Sequence, residues 1–137
     1  MKLNKLFPFV LFSSVLVLAS LACNINATTA NITNAHMASD KDDTEQTTVY
    51  AADTPAFFCY FDLNNSPDST VVKGTWTLVS GEGYESNSEI DSAEITGGSN
   101  TYYFSLDRSG DSWPVGKYKI DLYIDGKLVQ TVEFEVQ

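Results

Sequence analysis

Histidine, cysteine and basic side chains are scarce in this 137-residue sequence. There is one histidine, His36, and there are two cysteines, Cys23 and Cys59. Lys and Arg number 8 against 18 Asp and Glu, so the formal net charge is −10. A surface this acidic repels the phosphates of nucleic acids, and we expect no nucleic-acid partner. Anionic headgroups are repelled too, so membrane contact would need a lipid anchor or a partner.

Motifs for catalysis are missing as well. The sequence has no Gly-rich phosphate loop, no zinc-ligand spacing and no Ser-His-Asp set. His36 falls outside the predicted domain, which is thereby left without the usual general base for neutral pH. Cys59 lies in an aromatic run, where a small buried thiol is the simplest interpretation. We therefore predict a protein that is not an enzyme and that uses no cofactor.

One segment invites comparison with a calcium loop. Asp107 and Asp111 are four residues apart in a polar stretch and could offer oxygen ligands to calcium. The third acid and the closing Glu of an EF-hand loop are absent, and Arg108 opposes a cation. We predict a polar turn here, and no metal site, with calcium binding to the two aspartates as an alternative.

Residues 1–22 have the pattern of an export signal. Lys2 and Lys5 form a short positive region, and an uncharged, mostly apolar run extends from Leu6 to Ala22. This run is at the lower length limit for a membrane-spanning helix, and Pro8 weakens that interpretation. The run ends in small residues, as a cleavable signal peptide does.

The stretch Ala19-Ser20-Leu21-Ala22-Cys23 resembles the lipobox of bacterial lipoproteins. The resemblance implies cleavage before Cys23 and attachment of diacylglycerol to its thiol. Ser20 departs from the leucine that is commonest at its position, and ordinary signal cleavage after Ala22 stays open. The resemblance further implies a protein held at the cell membrane or outer membrane only through its N-terminal lipid, with its domain outside the cytoplasm.

We predict that residues 23–46 form the lipidated N-terminus and a disordered tether. Small and polar residues dominate this segment, and it shows neither a helical nor a strand period. Such a segment cannot bury enough apolar area to offset the entropy lost on ordering. It would serve as a flexible stalk that holds the domain away from the membrane.

We predict that residues 47–137 fold as a single all-β antiparallel sandwich. About seven short runs of β-type residues are separated by turn residues. Apolar side chains alternate clearly in the later runs, and Asp125-Gly126 suits a two-residue type I′ hairpin. Two sheets closing over the apolar faces would bury four large structural side chains, namely Trp76, Phe104, Tyr118 and Phe134.

Three pieces carry a resemblance to the immunoglobulin-like or fibronectin-III-like sandwich domains of bacterial surface proteins. They are Trp76 in the third run, the turn from Trp113 to Tyr118, and the terminal hairpin. The resemblance implies that residues 47–137 form a sandwich of the immunoglobulin-like kind and that Tyr118 forms a tyrosine corner, with its hydroxyl bonded to backbone upstream. The paired cysteines of antibody domains are absent, because Cys59 has no partner within the domain. A superfold of this kind implies the fold and little about function.

The anchor, the tether, the sandwich and the lack of a catalytic set together predict a non-catalytic surface lipoprotein. Its domain would mediate protein–protein interaction, as an adhesion module or accessory subunit, with another cell-envelope protein or a surface glycan as partner. The alternative is a carbohydrate- or small-solute-binding module, because Tyr84, Tyr103 and Tyr123 fall outside the predicted core faces and could contact a ligand. Cross-strand packing on an outer sheet face would also explain these tyrosines.

Overall fold

A computed structural model of the chain describes residues 29–137. The export signal and Cys23, and the predictions made for them, lie outside the described residues. Over the described range the chain forms eight β-strands and no helix, and hence no helix able to span a membrane. The strands are β1 (Asn31–Ala38), β2 (Val49–Tyr50), β3 (Ala56–Asn64), β4 (Val71–Gly81), β5 (Ser88–Thr96), β6 (Asn100–Asp107), β7 (Gly116–Ile124) and β8 (Lys127–Val136).

The strands form two sheets that pack face to face. The small sheet has the order β1-β3-β6, and the large sheet has the order β2-β8-β7-β4-β5. All neighbouring strands are antiparallel except β2 and β8, which run parallel. The predicted all-β sandwich is confirmed. It contains one strand more than the sequence patterns suggested, because β1 was not predicted.

The prediction of a disordered tether over residues 23–46 is wrong for β1. This strand pairs with β3, with Ile32 opposite Leu63 and Met37 opposite Cys59. Ile32 and Met37 both point into the core although they lie an odd number of residues apart. A register shift between Thr33 and His36 makes this possible, and it conceals the alternation in the sequence. The domain therefore begins before residue 47 and includes His36.

The rest of the predicted tether is also held against the domain. Residues 39–46 turn back, so that Ala38 and Gln46 form an isolated antiparallel bridge. The Ser39 amide donates to the Glu45 carbonyl at 2.8 Å, and the Thr47 amide donates to the Met37 carbonyl at 3.1 Å. These bonds satisfy backbone groups that a flexible stalk would leave to water.

The inner faces of the two sheets form one aromatic core. Trp76, Phe104, Tyr118 and Phe134 lie in it and are between 1% and 4% exposed. The Phe134 ring stacks on Tyr118 at 5.3 Å and meets Trp76 edge-on at 6.0 Å. Gly74 lies between the sheets, where a Cβ atom would approach the Phe104 ring to 2.6 Å. The glycine therefore makes room for a ring from the opposite sheet.

The turns at both ends of β7 have the geometry expected from the sequence. The Tyr118 hydroxyl donates to the Pro114 carbonyl at 2.6 Å, which is the upstream bond that the resemblance implied. At the other end, Asp125 and Gly126 have φ values of 46° and 84°, as a type I′ turn requires. The predicted hairpin between β7 and β8 is confirmed.

Candidate functional site

The three tyrosines predicted as ligand contacts lie on three different surfaces. Tyr103 is on the outer face of the small sheet, in β6, and 48% of it is exposed. Tyr123 is on the outer face of the large sheet, in β7, opposite Lys73 of β4. Tyr84 lies in the loop between β4 and β5 and is 58% exposed. The structure therefore does not bring them together in one site.

Tyr103 instead belongs to a row of rings that we call the aromatic face, made of His36, Phe58, Tyr60 and Tyr103. Tyr60 is the direct cross-strand partner of both Tyr103 and His36. The ring centroids of Tyr60 and Tyr103 are 5.1 Å apart, and His36 stacks on Tyr60 at 6.1 Å. Phe58 lies 6.1 Å from Tyr103. The row runs across all three strands of the small sheet.

Residues 39–46 cover one end of the aromatic face. The Tyr60 hydroxyl donates to the Lys41 carbonyl, and His36 Nε2 lies 2.8 Å from Asp43 Oδ1. Desolvation is the largest cause that raises the pKa of Tyr60, followed by the nearby Tyr103 and acidic side chains. Among residues 29–137 no comparable segment covers the Tyr103 end, and 48% of this side chain is exposed.

Polar side chains border the aromatic face along β3. Asp62 accepts a hydrogen bond from Thr101 Oγ1 at 2.6 Å and another from Asn34 Nδ2 at 3.4 Å. Asn64 continues the same outer row and donates to Thr33 Oγ1 at 2.9 Å. The face therefore combines rings that can stack with hydrogen-bonding groups beside them.

The sequence interpretation missed Phe58 and Tyr60 as surface residues. They lie in the run Phe57-Phe58-Cys59-Tyr60-Phe61, in which aromatic residues occupy both faces of the strand, and such a run hides the period of two. The signal that could have found them is the polar continuation of the strand. Asp62 and the asparagine two residues later lie on the face shared by Phe58 and Tyr60, and they mark it as the outer one.

A concave feature, which we call the loop pocket, lies where the β4–β5 and β6–β7 loops meet. Its volume is about 240 Å³, and its lining includes Leu78, Tyr84, Ile90, Arg108, Trp113 and Tyr118. Trp113 and Tyr118 are buried, whereas Tyr84 and Ile90 are 58% and 40% exposed. Arg108 donates a side-chain hydrogen bond to the Asp53 carbonyl. The pocket is thus mainly apolar with one charged group in its wall.

The remaining candidate residues offer little reactive chemistry. Within residues 29–137, no three His, Cys, Asp or Glu side chains are grouped closely enough to hold a metal ion. Asp107 ends β6, Asp111 follows in the loop, and both are exposed. Cys59 is free and buried, and desolvation raises the pKa of its thiol to about 12. A thiol in that state is a poor nucleophile.

Comparison with known proteins identifies the fold of the domain but assigns it to no family. No protein-family description and no curated protein matches the sequence. Among solved structures, an immunoglobulin-like protein from Pseudomonas aeruginosa superposes with a TM-score of 0.52 at 14% identity, over 79% of this chain and 96% of that one. The domain has an immunoglobulin-like β-sandwich fold.

Two enzymes also contain a region of similar fold. They are the alkylpurine DNA glycosylase AlkC of Pseudomonas fluorescens, with a TM-score of 0.51 and 14% identity, and a beta-D-glucoside glucohydrolase of Trichoderma reesei, with a TM-score of 0.50 and 16% identity. The matches cover 79% and 81% of this chain but only 30% and 19% of theirs. At such identities the likeness concerns the fold alone.

Proposed function

We propose that this protein is a non-catalytic lipoprotein of the cell envelope whose immunoglobulin-like domain binds a protein partner outside the cytoplasm. The lipid on Cys23 would attach it to the membrane, and the aromatic face would contact the partner. The observation that carries the proposal is the row of rings on the outer face of the small sheet, with Tyr103 48% exposed. A row of this kind has no evident role in the core.

The chemistry of the aromatic face suits a protein interface. Tyrosine supplies a large contact area with few rotatable bonds and is enriched among residues that dominate binding energy. Tyr60 and Phe58 pack against Tyr103, so part of the side-chain entropy cost of binding is already met in the free protein. Asp62 and its polar partners lie beside the rings, as a polar rim surrounds an apolar interface centre.

The histidine and the cysteine of residues 29–137 are already engaged or buried. Both ring nitrogens of His36 have partners, with Nδ1 2.7 Å from the Asn34 carbonyl and Nε2 2.8 Å from Asp43. The Cys59 thiol is buried, and its pKa is raised to about 12. These features support a binding role over a catalytic one.

Capture of partners by the intact, membrane-anchored protein tests the proposal. We expect cross-linking and purification to recover an envelope protein with the wild type, and Tyr103→Ala to lose it. Tyr123→Ala is the matched control, because it removes a tyrosine from the outer face of the other sheet. Equal recovery with all three proteins would contradict a role for the aromatic face.

The anchor has a separate test. Cys23→Ser is expected to move the protein from the membrane fraction to the soluble fraction, because the thiol that would carry the lipid is removed. Mass spectrometry of the mature N-terminus supplies the direct readout. A chain that begins beyond residue 23 and has no lipid mass would contradict the proposed attachment while leaving the binding proposal intact.

Carbohydrate binding is the second candidate for the same face. The rings of Tyr60 and Tyr103 are inclined by only 30°, so together they present a shallow platform on which a sugar ring could stack. Titration with soluble polysaccharides, followed by tyrosine fluorescence, distinguishes this candidate. A saturable change that is lost in Tyr103→Ala and kept in Tyr123→Ala would favour a glycan over a protein partner.

A further inference from the structure

We propose that the loop pocket is a second binding site, which takes an apolar group carrying one carboxylate. The pocket lies at an end of the sandwich and shares no residue with the aromatic face. Each of the two proposals can therefore be refuted without affecting the other. Three features carry this one: an apolar wall that folding leaves partly uncovered, a single guanidinium that forms no ion pair within residues 29–137, and a volume that limits the ligand.

The apolar wall combines buried and exposed side chains. Trp113 Nε1 donates to the Thr54 carbonyl at 2.7 Å, and the Tyr118 hydroxyl donates to the Pro114 carbonyl. With their polar atoms satisfied inside the protein, these side chains offer only ring carbons to the pocket. Tyr84 and Ile90 line the same pocket and remain partly exposed to solvent. An apolar ligand would cover surface that water now contacts.

Arg108 supplies the charge. It is the single arginine of a chain with 18 acidic residues, yet none of the ion pairs formed within residues 29–137 involves it. The hydrogen bond to the Asp53 carbonyl uses one of five guanidinium donors and restrains the side chain. The remaining donors suit the two oxygens of a carboxylate. The same charge disfavours a cationic ligand.

The volume limits what can enter. A pocket of about 240 Å³ is smaller than the ~300–1,000 Å³ typical of sites for drug-sized ligands. It fits a single ring or branched chain with a short acidic arm. A small aromatic acid has this chemistry, and so does the last residue of a peptide that ends in an apolar side chain and a free carboxylate.

Binding of 3-phenylpropionate and of its uncharged amide tests the inference. Nuclear magnetic resonance titration of the exported chain carrying Cys23→Ser avoids both lipid and detergent. We expect a dissociation constant on the order of 1 mM for the acid and binding of the amide at least about fivefold weaker. The largest shifts should fall on the Trp113 indole N–H and on the amides of Ser109 and Gly110. Equal binding of acid and amide, or shifts elsewhere, would overturn the inference.

Two peptides distinguish the sources of the ligand. Both end in Leu-Phe, one with a free C-terminus and one amidated. Tighter binding of the free peptide than of 3-phenylpropionate, with discrimination against the amidated form, would identify a protein C-terminus as the ligand. Preference for the small acid would identify a free solute. Binding of neither acid nor peptide would refute the site.

Variants assign the two halves of the pocket. Arg108→Gln should abolish the preference for acid over amide, and Arg108→Lys should keep part of it. Lys73→Gln makes the same charge change on the outer face of the large sheet and should leave the preference intact. Tyr84→Ala should weaken acid and amide alike, because it removes a ring that would contact the apolar part of either ligand. If Lys73→Gln reduces the preference for the acid as much as Arg108→Gln does, the preference reflects the overall charge of the protein, and the site is refuted.

Discussion

The outer faces of the two sheets both meet solvent, yet their chemistry differs. The small sheet presents the rings of Phe58, Tyr60 and Tyr103. The large sheet presents a pair of opposite charges within β7 and a hydrogen bond from that pair to β8. There Lys119 Nζ lies 3.1 Å from Asp121 Oδ2, and Asp121 Oδ1 accepts a hydrogen bond from the hydroxyl of a β8 threonine at 2.5 Å. The same alternation of side chains thus serves two kinds of surface.

The difference shows which face needs a functional explanation. Opposite charges on an outer sheet face keep a protein soluble, and the hydrogen bond between Asp121 and β8 supports strand pairing, so no ligand is required to account for them. Exposed aromatic rings are not stabilised by contact with water as charged groups are. Residues 39–46 cover only the His36 end of the row. The uncovered Tyr103 end is the part of the small sheet whose composition points to a partner.

The sharpest contrast in stability is between the core and the aromatic face. Trp76→Ala should lower the free energy of unfolding by about 3–5 kcal/mol, because it leaves a cavity between the sheets. Tyr103→Ala should cost only about 1 kcal/mol, the worth of its ring contacts with Tyr60 and Phe58. Denaturant unfolding of both variants measures the difference. A small effect of Trp76→Ala would mean that β4 is out of register by one residue.

The charged face of the large sheet depends on Asp121, which is 7% exposed. Asp121→Ala should cost about 1–2 kcal/mol, because it removes the acceptor for Thr131 and the partner of Lys119. Glu133→Ala is the control, since this exposed side chain lies opposite Lys119 in the strand register, and its loss should change stability by less than about 0.5 kcal/mol. Equal effects in thermal unfolding would mean that Asp121 has no special role on this face.

Tyr118→Phe tests how a core side chain makes the stability of the domain depend on pH. At pH 7 it should cost about 1–2 kcal/mol, since the Pro114 carbonyl loses its donor. Burial, and to a lesser extent the nearby Tyr84, raises the pKa of Tyr118 to about 12, above the ordinary value of about 10 in the unfolded chain. The wild type therefore loses stability as pH rises from about 10 towards 12, and the variant lacks this loss.

Urea unfolding at several alkaline pH values gives the measurement for this prediction. The difference in unfolding free energy between wild type and Tyr118→Phe should narrow steadily above pH 10. A constant difference would show that Tyr118 titrates alike in the folded and unfolded chain.

The smallest expected effect concerns the cover of the aromatic face. Tyr60→Phe keeps the ring but removes the hydrogen bond to the Lys41 carbonyl, and should cost about 0.5–1.5 kcal/mol. Tyr103→Phe is the matched control, because its hydroxyl donates no hydrogen bond within residues 29–137. Hydrogen exchange of residues 39–46 should accelerate only in Tyr60→Phe. Unchanged exchange in both variants would show that this bond does not hold the segment.

Local patterns predicted the later half of the domain well. In β7, Tyr118, Ile120 and Leu122 alternate with polar residues, and the structure buries all three. The Asp125-Gly126 turn was readable because few residue pairs accept positive φ at both positions. Strand β1 was not readable, because its register shift breaks the period of two and its residues are mostly small or polar.

What the sequence by itself determined is the inward-facing side of the later strands and the position of their turns. Both follow from backbone geometry over a few residues, which composition and alternation record directly. Only the tertiary structure decided which outer residues become neighbours. The aromatic face joins His36, Tyr60 and Tyr103 from three strands, and the loop pocket joins Tyr84 with Arg108. Such neighbours depend on long-range strand pairing and loop packing, which leave no local period in one sequence.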